Sequence, residues 1–382
     1  MKKTVKYLLT FTIYSGTIAV GFFLLQALYF WVSNRQANQT HVLAFAAGRS
    51  GGHIVPARAI AAQDKRNNTA VTTLFFSPNS PLDFQLLTNR PEVDRHIAYP
   101  LNNIPRTRYA HLAWYLLKML MTTGRAYIQL IRNQAKETIT TGGYIALPLT
   151  GASWAVGIPV TLYELNAVPG SAARLVHNFA TTTKCPFACA QKQFLFPSKT
   201  IHAPYPIRFT SKDHHSKDTA RAYLGIDANA YVIAIIGGSQ GSHFFNTHLP
   251  DVIDELKQEK DLFIIQQTGA EDVSAVKLYY QKLNIPALIF AFRSDIEYIY
   301  RAANICISRA GAGSIFELLF FSLPTIIIPL ETAVNDHQLD NARALVAEHG
   351  QLFSLLRQKD IEENPALLAK ELKRHFQTQK TN

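Results

Sequence analysis

Residues 304–342 read NICISRAGAGSIFELLFFSLPTIIIPLETAVNDHQLDNA. The apolar run 305–307 has the composition of a buried strand, and the small residues in 309–314 turn the backbone after it. Residues 315–321 are apolar over a helical length, Pro324 ends that element, and 325–329 is a second buried strand. Strand, turn, helix and strand make a βαβ unit, which favours a parallel sheet with a right-handed crossover. Ligands of such sheets sit beyond the carboxyl ends of the strands. Those ends carry Ser308, Arg309, Gly311, Ser314, Glu317, Asp336, His337 and Gln338. A turn this small lets a ligand approach the backbone, and the helix N-terminus behind it favours phosphate. Glu317 falls about one turn into the helix, where its carboxylate either faces that ligand or only complements the helix dipole.

The same alternation recurs on both sides. Residues 41–47, HVLAFAA, read as a strand, 48–52, GRSGG, as a loop, and 53–66 as a helix. The loop is not Gly-x-Gly-x-x-Gly, which argues against a nicotinamide site. Residues 71–76 form a second strand, and 78–105, rich in Pro and Asn, read as irregular. Strand 137–141 enters Gly142-Gly143-Tyr144, helix 146–156 follows, and strand 158–163 leads into ELNAVPG at 164–170. The proline-rich stretch HAPYPIR, 202–208, reads as an interdomain linker. Beyond it come strand 231–236, the loop GGSQG at 237–241, helix 242–257, strand 262–267, Thr268-Gly269, and strand 287–291 ahead of FRSDI at 292–296. A charged helix, 362–377, closes the chain. The domains expected are therefore 1–40, 41–208 and 209–382.

Charge separates these parts. Of the net +11, residues 1–40 carry +4, residues 41–208 carry +11, and residues 209–382 carry −4. A basic half suggests an anionic partner, either a phospholipid surface or a phosphorylated substrate; no nucleic-acid motif accompanies it. Residues 7–32 hold no charge and, as a helix, would reach about 39 Å, enough to span a bilayer. Tyr29 and Trp31 at its far end suit an interface, so the segment reads as a membrane anchor rather than a signal peptide. Lys2, Lys3 and Lys6 before it favour a cytoplasmic N-terminus, which a simple span would combine with export of everything downstream. A re-entrant or surface-lying segment is the alternative. Residues 109–130, YAHLAWYLLKMLMTTGRAYIQL, are apolar nearly all round and carry Lys118 and Arg125, with Arg132 just beyond. They read as a buried helix or as an interfacial one with cations at lipid headgroups. Cys185, Cys189 and Cys306 make no metal-ligand pattern, so no metal and no cofactor are expected.

The segment SRAGAGSIFELLFFSLPTIIIPL followed by DHQLDNA resembles the donor site of glycosyltransferase family 28. Four further motifs extend the resemblance over most of 41–350: Ser50-Gly51-Gly52-His53, Gly142-Gly143-Tyr144, the Glu164 to Gly170 loop, and Gly237-Gly238-Ser239-Gln240-Gly241. Arg49 stands where the family has a glycine, Tyr163 and Leu165 depart from its pattern, and Arg293 replaces an isoleucine. The resemblance implies an α/β GT-B fold, two Rossmann-like αβα domains facing one cleft, with the last helix returning to the first domain. It implies an inverting transfer of GlcNAc from UDP-GlcNAc to lipid I, the undecaprenyl-pyrophosphate-linked MurNAc-pentapeptide, at the cytoplasmic face of a bacterial membrane. On that basis His53 is the candidate base or acceptor orienter. Donor contacts fall on Ser50, Gly51, Gly52, Asn166, Arg208, Ser239, Arg293, Ala312, Gly313, Ser314, Ile315, Phe316, Glu317 and Gln338. Acceptor contacts fall on Arg49, Gly142, Gly143 and Tyr144. The competing readings are a UDP-GlcNAc 2-epimerase, another UDP-sugar transferase, or a tethered homologue that binds a UDP-sugar without catalysis.

Overall fold

The computed structural model describes residues 41–48, 50–101, 109–238, 241–270, 272–331 and 337–378. The N-terminal anchor segment, Arg49, Ser239 and Asp336 lie outside the described residues. The chain divides into two compact units. The first runs to Leu165 and resumes over Pro169–Pro206; the second takes Asn166–Val168 and everything from Ile207.

In the first unit the elements follow as β1 (His41–Ala46), α1 (Gly51–Asn67), β2 (Val71–Pro78), α2 (Pro81–Leu87), β3 (Arg95–Tyr99), α3 (Tyr109–Arg132), β4 (Glu137–Thr140), α4 (Ala146–Val156), β5 (Val160–Tyr163), α5 (Ser171–Phe179), β6 (Thr182–Cys185), α6 (Ala188–Gln191) and β7 (Thr200–His202). The strands form one sheet in the order β3-β2-β1-β4-β5-β6-β7, and every pair is parallel. The order reverses between β1 and β4, and such a switch point opens a crevice at the strand ends. Phe45 and Phe75 are paired in register, with rings stacked 4.7 Å apart. They are buried with Leu43, Ile54, Ile60 and Ile139 under α1.

The second unit contains α7 (Lys217–Leu224), β8 (Tyr231–Ile236), α8 (His243–Leu256), β9 (Leu262–Gln267), α9 (Val273–Lys282), β10 (Ala287–Phe290), α10 (Ile296–Ala302), β11 (Ile305–Ser308), α11 (Ala312–Phe320), β12 (Thr325–Ile327), α12 (His337–His349), β13 (Phe353–Leu355), α13 (Gln358–Glu363) and α14 (Ala366–Thr378). Its sheet, β10-β9-β8-β11-β12-β13, is again parallel and reverses between β8 and β11. YVIAII in β8 is buried at every position, because helices cover both faces of a parallel sheet. Gly241 marks the tightest crossing. Its φ is +76°, and a Cβ there would lie 1.9 Å from the Thr268 carbonyl oxygen.

The structure differs from the sequence reading at 78–105 and in the closing helix. Residues 78–105 contain α2, capped by the Ser80 hydroxyl on the Asp83 N–H, and the edge strand β3. An edge strand buries little, so its residues need not be apolar. The closing helix is broken: Asn364, ahead of Pro365, sits at φ −144° and ψ 88°, outside the helical region that a following proline disfavours. Leu368, Leu372 and Phe376 of α14 are buried in the core of the second unit, and Phe376 meets Tyr231 edge-on with centroids 4.7 Å apart.

Because Phe376 is 4 % exposed, Phe376→Ala is expected to destabilise the second unit by about 3–5 kcal/mol. Urea unfolding followed by a probe in the second unit checks this; an unchanged midpoint would place α14 outside that core.

Candidate active site

In the first unit, the ends of β1 and β4 are tied together through His53. Ser50 caps α1 with its carbonyl oxygen, which accepts from the N–H groups of His53 and Ile54, both at 3.2 Å. His53 therefore sits in the first turn, and its Nδ1 lies 2.6 Å from the Thr141 carbonyl oxygen. The Thr141 hydroxyl donates back to the His53 carbonyl at 2.8 Å. A carbonyl only accepts, so Nδ1 carries the proton and Nε2 keeps its lone pair. Burial lowers the imidazole pKa below 6.5, and the Thr141 bond opposes that shift. Gly142 and Gly143 follow at φ +98° and +83°, conformations that L side chains rarely adopt. A Cβ on Gly142 would stand 3.3 Å from His53 Cε1. The structure thus brings His53, Gly142 and Gly143 together with Ser50 and adds Thr141, which the motifs did not single out.

In the second unit, the loop after β8 ends at Ser242, the N-cap of the fourteen-residue α8. The Ser242 hydroxyl accepts from Phe245 N–H at 3.4 Å and from the Arg309 guanidinium at 2.7 Å. Arg309, 7 % exposed, also donates to the carbonyls of Ile328 (3.1 Å) and Pro329 (3.2 Å) and to Gln358 Oε1 (2.9 Å), and lies 4.4 Å over the Phe245 ring. Burial lowers its pKa to about 10, so it remains a cation at neutral pH. Among the described residues none of its hydrogen-bond partners is a carboxylate, though the Glu362 charge opposes the shift. Beside it opens a cavity of about 550 Å³ lined by Gly237, Gly238, Gly241, Ser242, Arg309 and Gln338, among others. A buried cation behind a helix N-terminus is an environment for an anion.

Gln338 is fixed by its oxygen, which accepts from the N–H groups of Leu330 (2.9 Å) and Ala310 (3.2 Å). Its amide nitrogen is then the atom left to donate to a ligand. Ala312, Gly313 and Ser314 open α11, where N–H groups have no intrahelical partner, and Ile315 and Phe316 follow on the same turn. Glu317 is not a bare carboxylate. Its Oε1 accepts from Arg208 Nε at 2.8 Å, and its Oε2 accepts from Arg208 Nη2 at 3.4 Å and from the Tyr300 hydroxyl at 3.1 Å. The Arg208 guanidinium also rests 4.7 Å from the Phe209 ring centroid. Arg293 forms a two-point ion pair with Asp295, which accepts from Tyr223 as well. Asn166 accepts from Asn341 at 3.2 Å, while Ala167 N–H donates to Asn341 Oδ1 at 2.8 Å, within the same unit. Tyr300 is a buried residue outside every motif, and Asn341 falls within DHQLDNA without having been singled out; a single tyrosine or asparagine inside a helical run carries no local signal.

Two parallel-sheet domains, each with a glycine loop opening a helix at its switch point, define a nucleotide-binding fold of the GT-B kind. The chain belongs to glycosyltransferase family 28: residues 43–184 match the family's N-terminal domain and residues 232–382 its C-terminal domain. It is 32 % identical over 311 residues to the UDP-N-acetylglucosamine–N-acetylmuramyl-(pentapeptide) pyrophosphoryl-undecaprenol N-acetylglucosamine transferase of Synechococcus elongatus, covering 79 % of each chain. To the enzyme of the same name from Francisella tularensis it is 31 % identical over 334 residues, covering 85 % of this chain and 87 % of that one. Among solved structures, MurG of Acinetobacter baumannii matches with a TM-score of 0.68 at 23 % identity, over 88 % of this chain and 90 % of that one. UDP-GlcNAc 2-epimerase of Neisseria meningitidis, solved with UDP-GlcNAc, shares the fold at a TM-score of 0.55 and 12 % identity, over 81 % and 92 %.

The lowered pKa of His53 makes a signed prediction. Folding favours the neutral ring, so its contribution to stability is fully present above about pH 6.5 and is lost as pH falls toward the folded value. The ring should titrate with a midpoint below 6.5 by NMR, and His53→Gln should lessen the fall in stability between pH 7.5 and about 5.5. A midpoint at or above 6.5 contradicts the burial argument.

Proposed function

We propose that the protein transfers GlcNAc from UDP-GlcNAc to the C4 hydroxyl of MurNAc in undecaprenyl-pyrophosphoryl-MurNAc-pentapeptide, giving the β-1,4-linked disaccharide on the lipid and releasing UDP. The observation that carries this reading is the cavity of about 550 Å³ at the carboxyl ends of the second sheet. It combines a helix N-terminus and a buried cation for a diphosphate with the Gln338 amide for a sugar. Glu317 takes the ribose hydroxyls, and Ala312–Phe316 supply the turn that admits the nucleoside. Arg293, through its backbone, contacts the uracil.

The chemistry is one displacement at the anomeric carbon. His53 Nε2 takes the proton of the acceptor hydroxyl, the oxygen bonds to C1 from the face opposite UDP, and the C1–O bond to the phosphate breaks with inversion. Charge develops on the departing diphosphate, where α8, Arg309 and Arg208 stabilise it. Gly142, Gly143 and Tyr144 hold the acceptor next to His53.

The first unit also has a surface suited to an anionic membrane. Trp114, Leu117, Leu120 and Met121 of α3 are exposed, Leu120 at 70 %, whereas Tyr115, Ala126, Tyr127 and Leu130 face inward. Trp154 of α4 and Phe179 of α5, both exposed, meet edge-on with centroids 6.1 Å apart. Lys118 lies over Trp114 at 5.6 Å, and Arg125 and Arg132 follow on the same helix. Apolar side chains with cations among them fit the headgroup boundary. Among the described residues no helix is long and apolar enough to cross a membrane. This face would meet the lipid acceptor from the cytoplasmic side.

Purified protein incubated with labelled UDP-GlcNAc, with and without a lipid I analogue, tests the activity. Label should enter the lipid only when the acceptor is present; epimerised donor without acceptor would mark the other reading of this fold. His53→Ala should slow single-turnover transfer by roughly 10²–10⁴-fold with UDP affinity little changed. A near-normal rate would place the base elsewhere. Lys118, Arg125 and Arg132 each contribute about 1 kcal/mol at an anionic surface. Changing all three to glutamine should weaken binding to anionic vesicles most at low salt, with UDP binding unaltered. Unaltered vesicle binding would refute the membrane assignment of α3.

A further inference from the structure

We infer that Tyr300 is a positioning residue for the donor's ribose: it holds the Glu317 carboxylate in its ligand-facing orientation while Arg208 gives way to the two ribose hydroxyls. The inference rests on the reading of Glu317 as the ribose contact and extends it to two partners.

The hydrogen-bond capacity of the carboxylate is limited. Two oxygens offer about four acceptor sites. Arg208 occupies one on Oε1 at 2.8 Å and a longer one on Oε2 at 3.4 Å, and the Tyr300 hydroxyl occupies another on Oε2 at 3.1 Å. With all three donors in place, the carboxylate has one site left for a diol that brings two hydroxyls. Once Arg208 leaves, three sites are open, enough for the diol with Tyr300 still bound. The two protein donors differ in freedom. Tyr300 is 3 % exposed on α10 and is packed against Phe321, with ring centroids 5.5 Å apart. The Arg208 side chain is 35 % exposed, against 12 % for Glu317. Arg208 is thus the member of the triad able to move toward a diphosphate, and Tyr300 the one that stays. Burial, reinforced by the Glu317 charge, pushes the Tyr300 phenol well above its ordinary range, so it remains a donor throughout the working pH.

The arrangement gives the donor domain a resting state in which a partly buried carboxylate is never unpaired. A buried charge without partners is costly, and Arg208 satisfies it until the ribose arrives. The same exchange frees a guanidinium as the diphosphate enters, so one side chain serves first the carboxylate and then the leaving group.

The test is Tyr300→Phe, which removes one oxygen and keeps the ring. Wild type, Tyr300→Phe, Glu317→Ala and the double variant are assayed with UDP-GlcNAc and its 2′-deoxy counterpart. Tyr300→Phe should raise KM for UDP-GlcNAc by about 5- to 20-fold with kcat nearly unchanged, and should lower the preference for the ribo donor. In the Glu317→Ala background it should add almost nothing. A purely structural role would lower thermal stability without altering the ribo-to-deoxy ratio. If Glu317→Ala loses that preference and Tyr300→Phe keeps it, the positioning role is wrong and the ribose reading stands. If Glu317→Ala itself keeps the preference, the ribose reading falls and this inference with it.

Discussion

A single buried guanidinium holds the donor side of this protein together. Arg309 reaches Ser242 at the start of α8, the carbonyls of Ile328 and Pro329 after β12, and Gln358 on α13. These segments meet only because parallel strands end on the same side of the sheet. Without Arg309, two carbonyls and a helix cap would face one another unsatisfied in the interior, at about 1–3 kcal/mol for each buried group left unpaired. Among the described residues no carboxylate is hydrogen-bonded to Arg309, and the Glu362 charge lies close enough to offset part of its desolvation.

Glu317 obeys the opposite logic. Here the charge is paired, with Arg208 and Tyr300 on its two oxygens. With three of its roughly four acceptor sites filled, the carboxylate has room for both hydroxyls of a diol only after one partner leaves. The two arginines differ in exposure: Arg309 is buried, whereas the Arg208 side chain is about one-third exposed. In the first unit, the Thr141 carbonyl selects the tautomer of His53 and leaves Nε2 as the basic atom.

The sheets were largely legible in the sequence because parallel strands buried on both faces are written as unbroken apolar runs, as in 231–236 and 305–307. The glycine loops were legible because positive φ or a close backbone crossing excludes a side chain, as at Gly142 and Gly241. Strands β3, β6 and β7 were not, since short strands toward a sheet's margins bury too little to impose an apolar pattern. The partners inside the site were hidden for a different reason. Arg208 stands 109 residues before Glu317, and Thr141 stands 88 after His53 and contributes a backbone oxygen that no residue type announces. The sequence therefore offered candidate residues without showing what each is bonded to.

In the proposed transfer the acceptor oxygen displaces UDP in one step with inversion. The most direct measurement is the anomeric configuration of the product formed from UDP-GlcNAc labelled with ¹³C at C1, read by NMR on a lipid I analogue. The account predicts a β-linked GlcNAc on MurNAc O4, with one UDP released for each bond formed. An α-linked product, or release of UDP without a new glycosidic bond, would contradict it.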